Sequence, residues 1–383
     1  ITLLADVNGE APAPIVNAGG TVGSYTPDFK ITTGQNVVID LAGFTITGSG
    51  NGPVFTTLGT FTLNDSSDQM TGKVTNGWGN SYDASTNSFI YVPKPGGAVR
   101  VEAGTFILNG GILDANYASD GAGVGVAKSG CTFIMNDGVI SNNRARTSAG
   151  GIWIEHGTAD THSVFSMYGG KVISNKSSYT AAIQMGNYGE YVLDGTKKDI
   201  LIDGNEAETS GTIIVAHGIT NTISGKVTIS NNKAKKDWAG ISVNNNSVLT
   251  LEGDDIEICG NTAGIVSGAL AMRNANSKLY IKGNPKIHDN TANGEAGNVW
   301  LTTPMYICSD ITEDAIIPYR LSNVYGDAIE TNGHTFVSDK ANQKGVYNDE
   351  PGMDLVAEKK NEGTLLSIRV PGLDANDENA VCY

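Results

Sequence analysis

The sequence predicts an all-β chain wound into a single-stranded right-handed parallel β-helix, a solenoid with irregular segments at both ends. Three observations carry that prediction. A short phrase returns at a nearly fixed period: "VISNN" at 139–143 recurs as "KVISN" at 171–175 and "VTISNN" at 227–232. Apolar and polar residues alternate with period two in "TFILN" (105–109), "TFIMN" (132–136), "VLTLE" (248–252) and their counterparts, which is the pattern of a half-buried strand. No stretch sustains the i, i+3, i+4, i+7 apolar spacing of a helix.

Internal periodicity redefines what every other residue means, so it is read first. Aligned on an apolar residue followed three places later by Asn, the phrase recurs as Leu113…Asn116, Ile140…Asn143, Ile202…Asn205, Ile229…Asn232, Ile258…Asn261 and Ile287…Asn290, and Ile173…Lys176 breaks the rule. The anchors 116, 143, 176, 205, 232, 261 and 290 lie 27, 33, 29, 27, 29 and 29 residues apart, regular enough for one coil per unit and loose enough for inserted loops. A second strand follows a run of small residues in each unit, as in "AGGIWI" (149–154), "SGTIIV" (210–215) and "AGNVWL" (296–301). Three short strands per unit then stack on the next coil at about 4.8 Å. Val124, Ile152, Ile183, Ile213, Ile241, Leu270 and Val299 form one inward row. The asparagines form a column, since Asn tolerates the left-handed backbone of a tight turn and its amide both donates and accepts between coils.

The period divides the chain into an N-terminal cap (1–35), the β-helix (36–310) and a C-terminal capping segment (311–383), one continuous domain. The ends are less regular: "NVVIDLAGFTITGSG" (36–50) opens the coil, "NGWGNSYDASTNS" (76–88) is a polar loop, and "GTLLSIRV" (363–370) reads as a final strand. A tail over the last coil would hide strand edges that otherwise invite pairing, and an end left partly open would allow copies to stack end to end.

Composition agrees. Glycine supplies 49 of 383 residues, above the usual ~7%, as frequent turns require. Forty acidic against 25 basic residues give a net charge of −15, which disfavours nucleic acid and anionic membrane surfaces. No apolar run is long enough to span a bilayer. The start, "ITLLADVNGE", has no basic n-region or apolar h-region, so a signal peptide is either removed or absent from this segment. The four cysteines show no CxxC and no metal-ligand spacing. Cys131 falls on the inward parity of its strand, and Cys308 with Cys382 could pin the tail through a disulfide, consistent with an oxidising, extracellular setting.

The repeat "GTFILNGGILDAN…GCTFIMNDGVISNNRARTSAGGIWI" resembles the glycine- and asparagine-rich β-helix repeat of the pectin-lyase-like superfamily, in the form carried by adhesin-like surface proteins of gut bacteria and methanogenic archaea. "NVVIDLAGFTITGSG" is similar to the first coil of those proteins, and "GNVWLTTPMYICSDITEDAIIPYRL" to the segment that closes their helix. The resemblance implies a secreted or cell-surface protein that binds a glycan or a host or community surface protein, or that self-associates. The same repeats accompany polysaccharide lyases and glycoside hydrolases, and fold does not fix function.

A carbohydrate-active enzyme on this scaffold needs two carboxylates about 5 Å or about 6.5–9.5 Å apart. The turn column reads Asp114, Ser141, Ser174, Asp203, Ser230, Cys259 and His288, with its acids three coils apart. Asp194 and Glu252 fall two coils apart in another outward column. Asp114, Asp120 and Glu155 near Arg144 and Arg146 form the densest charged cluster, with calcium as a possible ion for a lyase-like site and no other cofactor implied. The paired-Asp, "GHG" and "RIK" elements of polygalacturonases are absent from the sequence. His156, Asp160 and His162 form a weak metal constellation. A last outward row reads Gly125, Trp153, Gln184, Ile214, Ser242, Ala271 and Trp300, followed by Glu155, Asn244 and Arg273 and then by His156 and His217. Aromatic residues there suit a sugar or a protein partner. Trp153, Gln184 and Trp300 are therefore the ligand-binding candidates, the two tryptophans being five coils or about 24 Å apart.

Overall fold

The computed structural model describes residues 1–9, 28–79 and 95–349, apart from the turn positions 216, 245, 275, 323–325 and 332, together with strands at 81–83, 88–90, 354–360 and 363–369. The chain is all-β and winds as a parallel β-helix of about ten turns. Each coil presents three faces, illustrated by Thr105–Leu108 (first face), Ile112–Asp114 (second face) and Val124–Val126 (third face). Every one of these pairs in parallel with its counterparts 25 to 45 residues away, as Val124 with Val99 and Phe106 with Phe61 and Phe133. Pairing extends past the regular repeat at both ends, from Val7–Asn8 on Thr45–Thr47 to Ile316–Leu321 on Lys344–Asn348. "GTLLSIRV" forms the strand Gly363–Arg369, antiparallel to both Asp354–Lys360 and the edge strand Gly326–Glu330. No helix among the described residues is long and apolar enough to cross a membrane.

The interior follows from the period-two alternation. The predicted inward row from Val124 to Val299 is in continuous register and buried throughout. On the first face Phe61, Phe106, Phe133 and Phe165 stack at centroid spacings of 5.2–5.3 Å, offset aromatic packing that the inter-strand distance imposes on any repeated inward Phe. The column continues as Tyr191, Asn221 and Leu249. Asn221 is fully buried there with its Oδ1 unpartnered and its Nδ2 directed only at Met185 Sδ, 3.7 Å away.

The asparagine column is an unbroken buried ladder, and it corrects the alignment at its third rung. Asn175, not Lys176, occupies the column: Asn143 donates to Asn175 Oδ1, and Asn175 donates to Asn205 Oδ1, each from both its backbone N–H and its Nδ2 at 2.9–3.0 Å. The repeat therefore has no exception, and its anchor in that coil is Val172, which pairs with Ile140 and Ile202. The same double donation runs through Asn116, Asn143, Asn205, Asn232, Asn261 and Asn290. Each Nδ2 also donates to a carbonyl of the preceding coil, as Asn205 to Val172 O at 2.9 Å. Asn298 accepts at the end of the ladder.

These asparagines are not the left-handed residues of the turn. That role falls to the residue before each: Asn142 (φ 53°), Ser174 (φ 56°), Gly204 (φ 61°), Asn231 (φ 52°) and Gly260 (φ 64°). In "ISNN" the first Asn turns the chain and the second ties the coils. A fourth ladder, of two to five residues per strand, follows each turn and in its later coils buries a row of alanines, Ala207, Ala234, Ala263 and Ala292.

Asn205→Ala should lower apparent unfolding free energy by roughly 3 kcal/mol in a urea titration, because it orphans several buried donors and acceptors at once. Asn231→Gly, which removes an exposed turn side chain and its solvent-exposed hydrogen bond to Asp203 Oδ1, should change it by less than about 1 kcal/mol. Asn221→Leu should instead stabilise by about 1 kcal/mol, seen as a raised melting temperature, since it exchanges a poorly partnered buried amide for the residue type of the next coil.

Candidate functional site

The outward row of the third face is not a flat sheet surface. Ile214, Ser242 and Ala271 point away from the core yet are 3%, 0% and 0% exposed. The chain on either side of the strands rises above them and makes the row the floor of a groove. At one end the backbone of Pro95 and Gly96 lies where a side chain on Gly125 would be, 2.3–2.8 Å from the position of its Cβ, so only glycine is accommodated there. At the other, Arg273 reaches back across the Ser242 and Ala271 positions to place its guanidinium 3.9 Å from the centre of the Trp238 ring, a cation–π contact. The same guanidinium donates to Asn244 Oδ1 at 3.0 Å.

Between these ends a cleft of about 470 Å³ opens over Gln184 and Ile214, within the range of small-ligand sites. Tyr179 forms one wall, and His156, Asn187 and His217, stacked coil upon coil, form the other. Asn187 N–H donates to His156 Nδ1 at 3.0 Å, and His217 N–H donates to Asn187 Oδ1 at 3.1 Å. Asn244, Arg273 and Asn274 complete it. Gln184 Oε1 and Ser242 Oγ are buried without a protein partner. The nine lining side chains comprise a phenol, four amides, two imidazoles, one guanidinium and one aliphatic group, and no carboxylate.

Of the ligand-binding candidates, Gln184 lies in the cleft, whereas Trp153 and Trp300 are half-buried members of the same row outside the cleft's lining. Asn244, Arg273, His156 and His217, which the row places next to it, do line the cleft. Tyr179 and Asn187 were not among the candidates. Their signal was weak: each lies in a turn whose position over the groove depends on how the inserted residues fold.

The five carboxylate candidates are scattered over the three faces and the fourth ladder, which holds Asp120. Asp114, on the second face, accepts from Lys73 (3.1 Å), Ser141 (2.8 Å) and Asn142 (2.8 Å). Burial opposes its ionisation, but hydrogen bonds from Asn142, Ser141 and Lys73 outweigh it and hold the carboxyl below the ordinary aspartate range. Ile173, not Ser174, continues its column. Asp194 is held low chiefly by its hydrogen bond with Thr196. Glu252, two coils on in the same column, is engaged by Lys282 at 2.5 Å. Asp120 differs: burial pushes its carboxyl above the usual range, Ser119 and Ser148 pull the other way, and the charge of Glu155 adds to the rise. Asp120 and Glu155 are thus the one pair of the five whose charges act on each other.

Cys131, just before the strand Thr132–Met135, is buried as its parity predicts, and burial raises its thiol pKa. Cys308 is half-buried, and its proposed disulfide partner Cys382 lies outside the described residues. His162 faces Glu190 at 3.3 Å and His156 faces Asn187, so these two histidines serve separate contacts. Comparisons with protein-family models, curated proteins and solved structures return no match to this chain.

Because the folded-state pKa of Asp120 lies above its unfolded value, the stability linked to it is complete below about pH 3.9 and declines as pH rises through the folded-state pKa. Asp120→Asn removes that decline while keeping an oxygen that can accept from Ser148 N–H. Thermal melts should show the variant more stable than wild type at pH 7 and the two converging towards pH 3.

Proposed function

We propose that this β-helix is an extracellular binding protein of the adhesin kind, and that the third-face cleft takes a segment of an acidic glycan. The observation that carries the proposal is the lining of the cleft, in which four amides, a phenol, two imidazoles and a guanidinium converge on one opening. Gln184 at its floor keeps an Oε1 without a protein partner, and since buried polar atoms in folded proteins are almost always paired, a sugar hydroxyl that turns the Gln184 amide towards the cleft completes the set. The surroundings suit the rest of such a ligand. Amides of Asn187, Asn244 and Asn274 offer further hydrogen bonds to hydroxyls, Tyr179 offers a ring face, Arg273 offers the cationic side for a carboxylate, and the two histidines add hydrogen-bonding groups beside it. On a chain of net charge −15, a lining without acids makes this cleft the favoured place for an anion. The likeness of the repeat to adhesin-like surface proteins supports the cell-surface setting.

Titration with uronic-acid and sialylated oligosaccharides, followed by calorimetry, tests this. Arg273→Ala should weaken binding of the acidic sugars at least tenfold, about 1.4 kcal/mol, and Gln184→Ala should weaken acidic and neutral forms alike. Trp300→Ala should leave affinity unchanged. New reducing ends or unsaturated products in the same incubations, lost in Asp120→Asn, would replace binding with turnover and move the site to the Asp120–Glu155 pair.

A further inference from the structure

A second constellation stands on the second face, away from the cleft. On the strand Ile256–Cys259 the outward residues are Glu257 and Cys259, and parallel pairing sets His288 of the next coil directly beside Cys259. One ligand atom from each of Glu257, Cys259 and His288 falls within 4.8 Å of the other two. His288 Nε2 is 3.1 Å from Glu257 Oε1, and its Nδ1 is 2.8 Å from Asp289 Oδ2. The geometry points to a binding site for a zinc-class divalent cation, held by the Cys259 thiolate, His288 Nε2 and the Glu257 carboxylate with water in the fourth position.

The donor set selects the ion. Sulfur, imidazole and carboxylate together suit zinc, which accepts all three in tetrahedral geometry, whereas calcium and magnesium take oxygen alone. All three ligands are half-buried, so their reach is limited and the fourth position faces solvent. The carboxylate of Asp289 on Nδ1 fixes the ring so that Nε2 faces the other ligands, the outer-shell arrangement that orients most metal-bound histidines. Binding would displace the thiol proton to solvent and exchange the Glu257–His288 contact for two bonds to the ion. The pairing residues come from successive coils, so the ion would clamp them together near the C-terminal end of the ladder. The site does not rest on the glycan reading.

The test uses the full chain freed of metal and then loaded with one equivalent of Zn²⁺ or Co²⁺. Wild type should retain one ion per chain through desalting, and the cobalt form should show a thiolate-to-metal charge-transfer band. Cys259→Ser and His288→Ala should each abolish the band and the retained ion with an unchanged β-sheet circular dichroism spectrum, while Cys308→Ser and His162→Ala leave both intact. Asp289→Asn, a positioning change, should weaken zinc affinity by about 10–100-fold with the band preserved at saturating cobalt. Failure of wild type to retain an ion, or a band that survives Cys259→Ser, overturns the assignment.

Discussion

The buried amide ladder is the interaction on which the rest of the structure depends. Each rung fills its Oδ1 with two donors from the preceding coil and sends its Nδ2 back to a carbonyl there, so that every Asn from 143 to 261 ties its coil to both neighbours. A one-residue slip between coils would strand a set of buried polar groups, each costing about 1–3 kcal/mol. The ladder thereby fixes register, and register decides what stands above what. The phenylalanine stack, the alanine row, the floor of the cleft and the Cys259–His288 juxtaposition all follow from it.

The two candidate sites use that register differently. The cleft opens over Gln184 and Ile214 in one row, and farther along the row Arg273 reaches Trp238. Its hydrogen-bonding wall is a column of turn residues held one above another by backbone-to-side-chain bonds through Asn187 and His156. The thiol, imidazole and carboxylate meet because two residues on one strand face a third, 29 positions along, at the inter-strand distance. In both cases chemistry that no short motif encodes is assembled by stacking.

Much of this was legible in the letters. Period-two alternation identified the strands, and the inward row from Val124 to Val299 could be written down residue by residue, because a solenoid translates sequence period directly into contact. The third rung was misplaced by one because "KVISN" offers an apolar residue three places before both Asn175 and Lys176, and only the pairing of Val172 decides between them. The division of labour within "ISNN" was hidden for a related reason: Ala115, Ser174 and Asp289 also adopt the left-handed turn, so its chemistry is broader than asparagine's own preference. The groove was hidden because its walls are loops, whose course depends on contacts between coils and not on periodicity. The column places Cys259 beside His288 in the sequence alone, but a thiol and an imidazole one coil apart form no short motif, unlike the paired carboxylates of glycoside chemistry.

Hydrogen exchange with and without a saturating uronic-acid oligosaccharide tests the central claim most directly, namely that the third-face cleft is where this β-helix meets its ligand. Added protection confined to 184–187, 217–218 and 244–247, with the second face unchanged, is the predicted result. Protection on the second face instead, or none anywhere at ligand saturation, would contradict it.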